Sequence, residues 1–153
     1  MQNLQNLISQ LESKISQCET TNLVVSGGSV GWHIEHSLKT IDQIVTACEN
    51  SNPSNYQWHF NFKRFLIMSI AKKIPRGKAK APKVVVPQTT IDQATLLIHL
   101  NESRKSILEL KTISKDHYFE HPFFGKIKRD DTIRFLEIHT NHHLEIIEDI
   151  IKS

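Results

Sequence analysis

The chain has 153 residues, enough for one domain with a substantial core. Apolar residues make up 39% and charged residues 23%, proportions ordinary for a soluble globular protein. The longest uninterrupted apolar run, Phe65-Leu66-Ile67-Met68, falls far short of the roughly eighteen residues of a membrane span, and the first residues carry no secretory pattern. The formal charge of +3 is unevenly spread: Lys72, Lys73, Arg76, Lys78, Lys80 and Lys83 form one acid-free basic stretch. Taking these six from the 19 Lys and Arg leaves 13 basic residues against 16 acidic ones, a mildly acidic body with one basic loop. No aromatic residue interleaves that run to stack on bases, which favours a solvated connector over a nucleic-acid interface.

The first apolar stripe, Leu4, Ile8, Leu11, Ile15 and Cys18, predicts a helix over 3–19. Gly27-Gly28 breaks the pattern, and Ser29 is placed to cap a second helix reaching about Asn50, with Ile34, Leu38, Ile41, Val45 and Cys48 inward. After the Asn52-Pro53-Ser54-Asn55 turn, a shorter helical segment is expected over 58–72, its apolar side formed by Phe62, Phe65, Leu66 and Ile70. Pro75, Pro82 and Pro87 bar regular helix from the next stretch, where Val84-Val85-Val86 reads as extended. Thr90 reads as the cap of a third long helix to about Ile113. Residues 114–128 read as a loop. A last helix begins near Arg129, with Asp130 and Asp131 beside its positive dipole end.

Four amphipathic patterns of this kind predict an all-α fold: an up-and-down four-helix bundle, residues 1–153 as one domain, with a long crossover linker between helices two and three. Cys18 and Cys48 both fall on apolar stripes without Cys-x-x-Cys spacing and read as buried free thiols, making cytoplasm the expected location.

Chemistry concentrates in nine histidines. His139 and His143 are four residues apart, so on a helix their rings share one face about one turn apart. They also occupy the buried-seam positions of the series Leu136, His139, His143, Ile146, Ile150. Titratable rings in such a seam require a metal or a hydrogen-bond network, since a buried polar group without a partner costs about 1–3 kcal/mol. His33 and His36 lie early in the second helix, and a helical core can bring rings from separate helices together. Three imidazoles with an open fourth position suit Zn²⁺ and accept Ni²⁺ or Fe²⁺. Periodicity alone favours His33 as the third partner, because His36 falls roughly 140° from the stripe centred at Ile41 and His33 roughly 80°. His142, off the His139 face, reads as a rim residue, and His99 as partly buried. His59, His117 and His121 read as loop or surface positions. Glu35 and His142 are the candidates for acid–base work, though Glu35 reads foremost as a solvent-facing carboxylate.

Trp32-x-x-x-His36, His121-Pro122-Phe123-Phe124-Gly125-Lys126 and His139-x-x-His142-His143-Leu144, in this order, resemble the DinB-like superfamily and, within it, a subfamily of unassigned function. The likeness runs from Gly31 to the C-terminus. It departs just after the final histidine, where Leu144-Glu145-Ile146-Ile147 stands in place of the polar residues of relatives. The resemblance implies the four-helix bundle and a three-histidine site for Ni²⁺ or Zn²⁺ held by His36, His139 and His143; His33, favoured by periodicity, stands as the substitute for His36. It further implies a metal-dependent hydrolase or thiol transferase acting on a small molecule, a thiol cofactor and a homodimer, and names no catalytic residue. The competing reading is a non-enzymatic metal- or ligand-binding protein.

Overall fold

In the computed structural model, which describes residues 2–77, 82–87 and 91–152, five α-helices and two strands are found among the described residues. They are α1 (Gln2–Glu12), α2 (Val30–Glu49), α3 (Phe62–Phe65), α4 (Gln93–Thr112), β1 (Tyr118–His121), β2 (Gly125–Lys128) and α5 (Arg129–Lys152). α2 packs on both α4 and α5, and α1 closes the core against α5 and α4. Leu4, Ile8, Leu11, Ile34, Leu38, Ile41, Leu100, Ile107, Leu136 and Ile147 are completely buried between them.

This is a mixed fold, and the expected all-α up-and-down four-helix bundle is overturned by residues 118–128. Instead of a loop, they form an antiparallel hairpin that packs on α2 and α5. The Phe119–Ile127 cross-strand pair faces inward, and both residues are buried. A three-residue connection ends at Gly125, whose φ of 69° is the left-handed conformation such hairpins need. Each strand offers one buried residue, too short an alternation to read from sequence.

Other boundaries moved for local reasons. α1 stops at Glu12 because Lys14 N–H turns to the Leu11 carbonyl, three residues back, and a 3-10 turn follows at Ile15–Gln17. Ile15 and Cys18 are nevertheless buried, so the stripe marked the core but not the helix. The segment expected as a helix over 58–72 is one α-turn followed by a π-helical stretch, Leu66–Ala71. Its expected inner side, Phe62, Phe65, Leu66 and Ile70, faces solvent, and Met68 is buried instead. Lys83–Val85 is a 3-10 turn, not an extended segment. Thr90, Lys78 and Lys80 lie outside the described residues. α4 is capped by Asp92, whose carboxylate accepts from Thr95 N–H at 2.8 Å. Both cysteines are free and buried, and burial pushes the Cys48 thiol up to about 11. No helix among the described residues is long and apolar enough to cross a membrane.

Candidate metal centre

The start of α2 is held in place by backbone. Ser29 Oγ accepts from Trp32 N–H at 3.1 Å, and the first helical N–H groups of Val30 and Gly31 donate to the carbonyls of Thr20 and Cys18 at 2.9 and 2.8 Å. A Cβ at Gly31 would sit 2.9 Å from the Cys18 carbonyl oxygen, so only glycine permits this approach. The start of α2 is thereby fixed against residues 18–20, and α2 packs on α5 beyond it. Trp32 stacks on His36 at 5.0 Å between ring centroids and meets His33 edge-on at the same distance.

Across the interface, α5 presents His139 and His143, their ring centroids 4.6 Å apart. His36 lies 5.2 Å from His139 and 4.6 Å from His143. One nitrogen from each of His36, His139 and His143 lies within 4.8 Å of the other two. The chain thus brings together the three histidines that the DinB-like resemblance selects. It also explains why periodicity favoured His33: that ring is equally buried, but it reaches the cluster as a hydrogen-bond partner, with its Nδ1 2.9 Å from His143 Nδ1.

Hydrogen bonds assign the nitrogens. His36 Nδ1–H donates to the Val85 carbonyl at 2.9 Å, which leaves Nε2 with a free lone pair. Where His143 Nδ1–H donates to His33 Nδ1, 2.9 Å away, Nε2 of His143 likewise keeps its lone pair. His33 Nε2 lies 2.9 Å from Ser26 Oγ, itself an acceptor of Gly28 N–H, so a chain of contacts runs from Ser26 through His33 to His143. His139 Nδ1 is buried and has no hydrogen-bond partner among the described residues. In the tautomer with its proton on Nε2, that nitrogen is a bare lone pair, which a cation would satisfy.

Burial is the main reason these rings are neutral. It drives His139 and His143 well below the ordinary imidazole range, with mutual repulsion among His33, His36, His139, His142 and His143 adding to it. It likewise lowers His36, against an opposing pull from the Val85 carbonyl, and takes His33 to about 4. The lone pairs are therefore available at neutral pH, the form in which imidazole ligates metal.

Several residues differ from their sequence expectation. Glu35 is not solvent-facing: it is buried, and its carboxylate meets His99 Nδ1 at 2.8 Å. His99 bridges α2 and α4, with Nε2 2.7 Å from Asp42. His121 is not a plain loop residue. It ends β1, stacks on Phe124 at 4.3 Å and meets Phe135 edge-on, and burial lowers it to about 4. Its Nδ1 accepts from the N–H groups of Phe123 and Phe124. His142 lies 5.1 Å from His143, beside the cluster. The Val85 carbonyl and Ser26 carried no sequence signal, since a backbone acceptor and a lone serine look like any other.

The fold and site define a mostly helical protein with a trio of neutral imidazoles, two buried and one half-buried, that could hold a metal ion. Residues 59–150 match the family described as "Protein of unknown function (DUF1569)". That is more than half of the chain, and the protein belongs to this family. No curated protein and no solved structure matches it.

Proposed function

We propose that this protein is a DinB-like metal-dependent enzyme, a hydrolase or thiol transferase, in which His36, His139 and His143 hold one divalent ion, Zn²⁺ or Ni²⁺. The observation that carries the reading is the meeting of three neutral imidazole nitrogens from α2 and α5 within 4.8 Å. Two ligands on one tetrahedral zinc are about 3.4 Å apart, so ring shifts on the order of 1 Å complete the set. The orphaned His139 Nδ1 adds support, because a nearby cation relieves an otherwise unpaired buried nitrogen.

When bound, such an ion supplies Lewis-acid chemistry, lowering the pKa of a water or thiol at its open position. The chain's own residues hold and orient. The Val85 carbonyl fixes the His36 tautomer, and His33 fixes the orientation of His143, the arrangement in which a ligand's second nitrogen sets its basicity. Of the two acid–base candidates, Glu35 is committed to His99 and Lys39. This leaves His142, and it favours the second reading to the same degree: a metal- or ligand-binding protein without turnover.

Elemental analysis of protein made without an affinity tag tests the proposal. About one equivalent of metal is expected, and His139→Ala should lose it while circular dichroism keeps its helical amplitude. Full metal retention in both His139→Ala and His143→Ala would overturn the ligand assignment. A thiol-transfer and hydrolysis screen on the metal-loaded protein then separates the two readings.

A further inference from the structure

We propose that the cleft beside the histidine cluster binds a small amphipathic anion, an apolar body bearing one carboxylate or comparable monoanionic head. This names the substrate class of the proposed metal enzyme and rests on that reading for its catalytic meaning.

The cleft holds about 420 Å³, a volume suited to a small organic molecule. The π-helical stretch and the turn after it form one wall, and α5 forms the other. Leu66, Ile67, Ile74, Pro75 and Ile138 make the surface largely apolar. Through Leu66, which lines the cleft yet remains exposed, this surface continues onto Phe62, Phe65 and Ile70. His142 lines the cleft and also lies 5.1 Å from His143, so a ligand here sits one side chain from the proposed metal ligands.

The polar part of the rim holds three cations, Lys72, Lys73 and Arg76, against one carboxylate, Glu145, beside Asn141 and His142. Between Glu49 and Asp92 the chain has no acidic residue and eight Lys or Arg, of which Lys72, Lys73 and Arg76 line this cleft. Arg76 is committed to Asp149 at 2.7 Å, and Lys73 reaches Glu145 at a loose 3.6 Å. Lys72 has no ion pair among the described residues. One unneutralised ammonium at the mouth of an apolar cleft matches a monoanion better than a neutral or cationic ligand.

The backbone points the same way. Lys72 has a φ of 51°, a left-handed conformation uncommon outside glycine and asparagine, and its N–H closes the π-turn on the Ile67 carbonyl at 2.8 Å. A π-helical turn and a left-handed lysine are each locally unfavourable, and both kinds of feature concentrate at functional sites. Here they are consecutive, and they form the wall and rim of one cleft.

The test uses the full chain and two fluorescent probes of similar shape, the anionic 8-anilinonaphthalene-1-sulfonate and the uncharged N-phenyl-1-naphthylamine. Saturable one-to-one binding of the anion is expected. Lys72→Asn, which tolerates the left-handed backbone, should weaken the anion about tenfold and the neutral probe less than twofold. Ala71→Trp, which fills the cleft from an exposed position, should abolish both, whereas Leu108→Asp on an exposed site of α4 outside the cleft should change neither. Multiple weak binding, an unchanged anion-to-neutral ratio in Lys72→Asn, or full binding by Ala71→Trp would each overturn the inference. Metal is measured on the same samples. A full equivalent of metal without probe binding sinks this inference and spares the metal reading, while probe binding without metal does the opposite.

Discussion

A cluster of histidines between α2 and α5 and a single histidine between α2 and α4 are held in opposite charge states. On the side facing α5, His33, His36, His139 and His143 meet one another, a backbone carbonyl and a serine, with no carboxylate hydrogen-bonded to them among the described residues, and burial keeps them neutral. On the side facing α4, burial again pulls His99 down, but hydrogen bonds to Asp42 and Glu35 outweigh it and raise the ring to about 9. Ser103 and Lys39 further tie those carboxylates, to Asp42 at 3.0 Å and to Glu35 at 3.8 Å. The same side chain becomes a lone-pair donor in one place and, at a shallower position, a cationic staple in the other. The neighbouring carboxylates decide which.

The sharpest way to separate the regions is by metal. His143→Ala should lose the bound ion completely, and His99→Phe should keep a full equivalent; elemental analysis of untagged proteins reads both. Next in size, His33→Ala should weaken metal binding by about 10- to 100-fold without abolishing it, the range for loss of a residue that orients a ligand. A competitive chelator titration measures this, and complete loss would make His33 a ligand itself.

Stability against pH distinguishes the charge states. His99 is raised in the folded chain, so its contribution is fully present below the unfolded value of about 6.5 and is lost as pH rises through about 9. His99→Phe should cost on the order of 2 kcal/mol near pH 6 by leaving two carboxylates without their cation, and should flatten the alkaline loss. The cluster behaves inversely. His33 is lowered to about 4, so its neutral state favours the fold above about 6.5, and that advantage fades as pH falls toward 4, in the same direction as His139 and His143. Urea titrations from pH 4 to 10 should therefore show losses at both ends, only the alkaline one absent in His99→Phe. The smallest effect belongs to Lys39→Ala, expected within about 0.5 kcal/mol because its contact to Glu35 is long and partly solvated.

Sequence alone carried what depends on helical periodicity. It placed His139 and His143 on one face of α5, where His143 is buried and His139 half-buried, set Ser29 as the cap of α2 and marked Leu4 through Cys18 as core, because a 3.6-residue repeat ties position to face. It did not carry what depends on partners distant in the chain. Residues 118–128 form a hairpin because Phe119 and Ile127 meet over α2 and α5, a pairing too short to leave an alternating signature. His36 and His33 are separated in role by the Val85 carbonyl and by His143, residues 49 and 110 positions away. Glu35 turned from an expected surface acid into a buried partner of His99 only because α4 packs beside it. Faces follow from local geometry, whereas the protonation and bonding of a buried ring follow from whatever the tertiary fold sets against it.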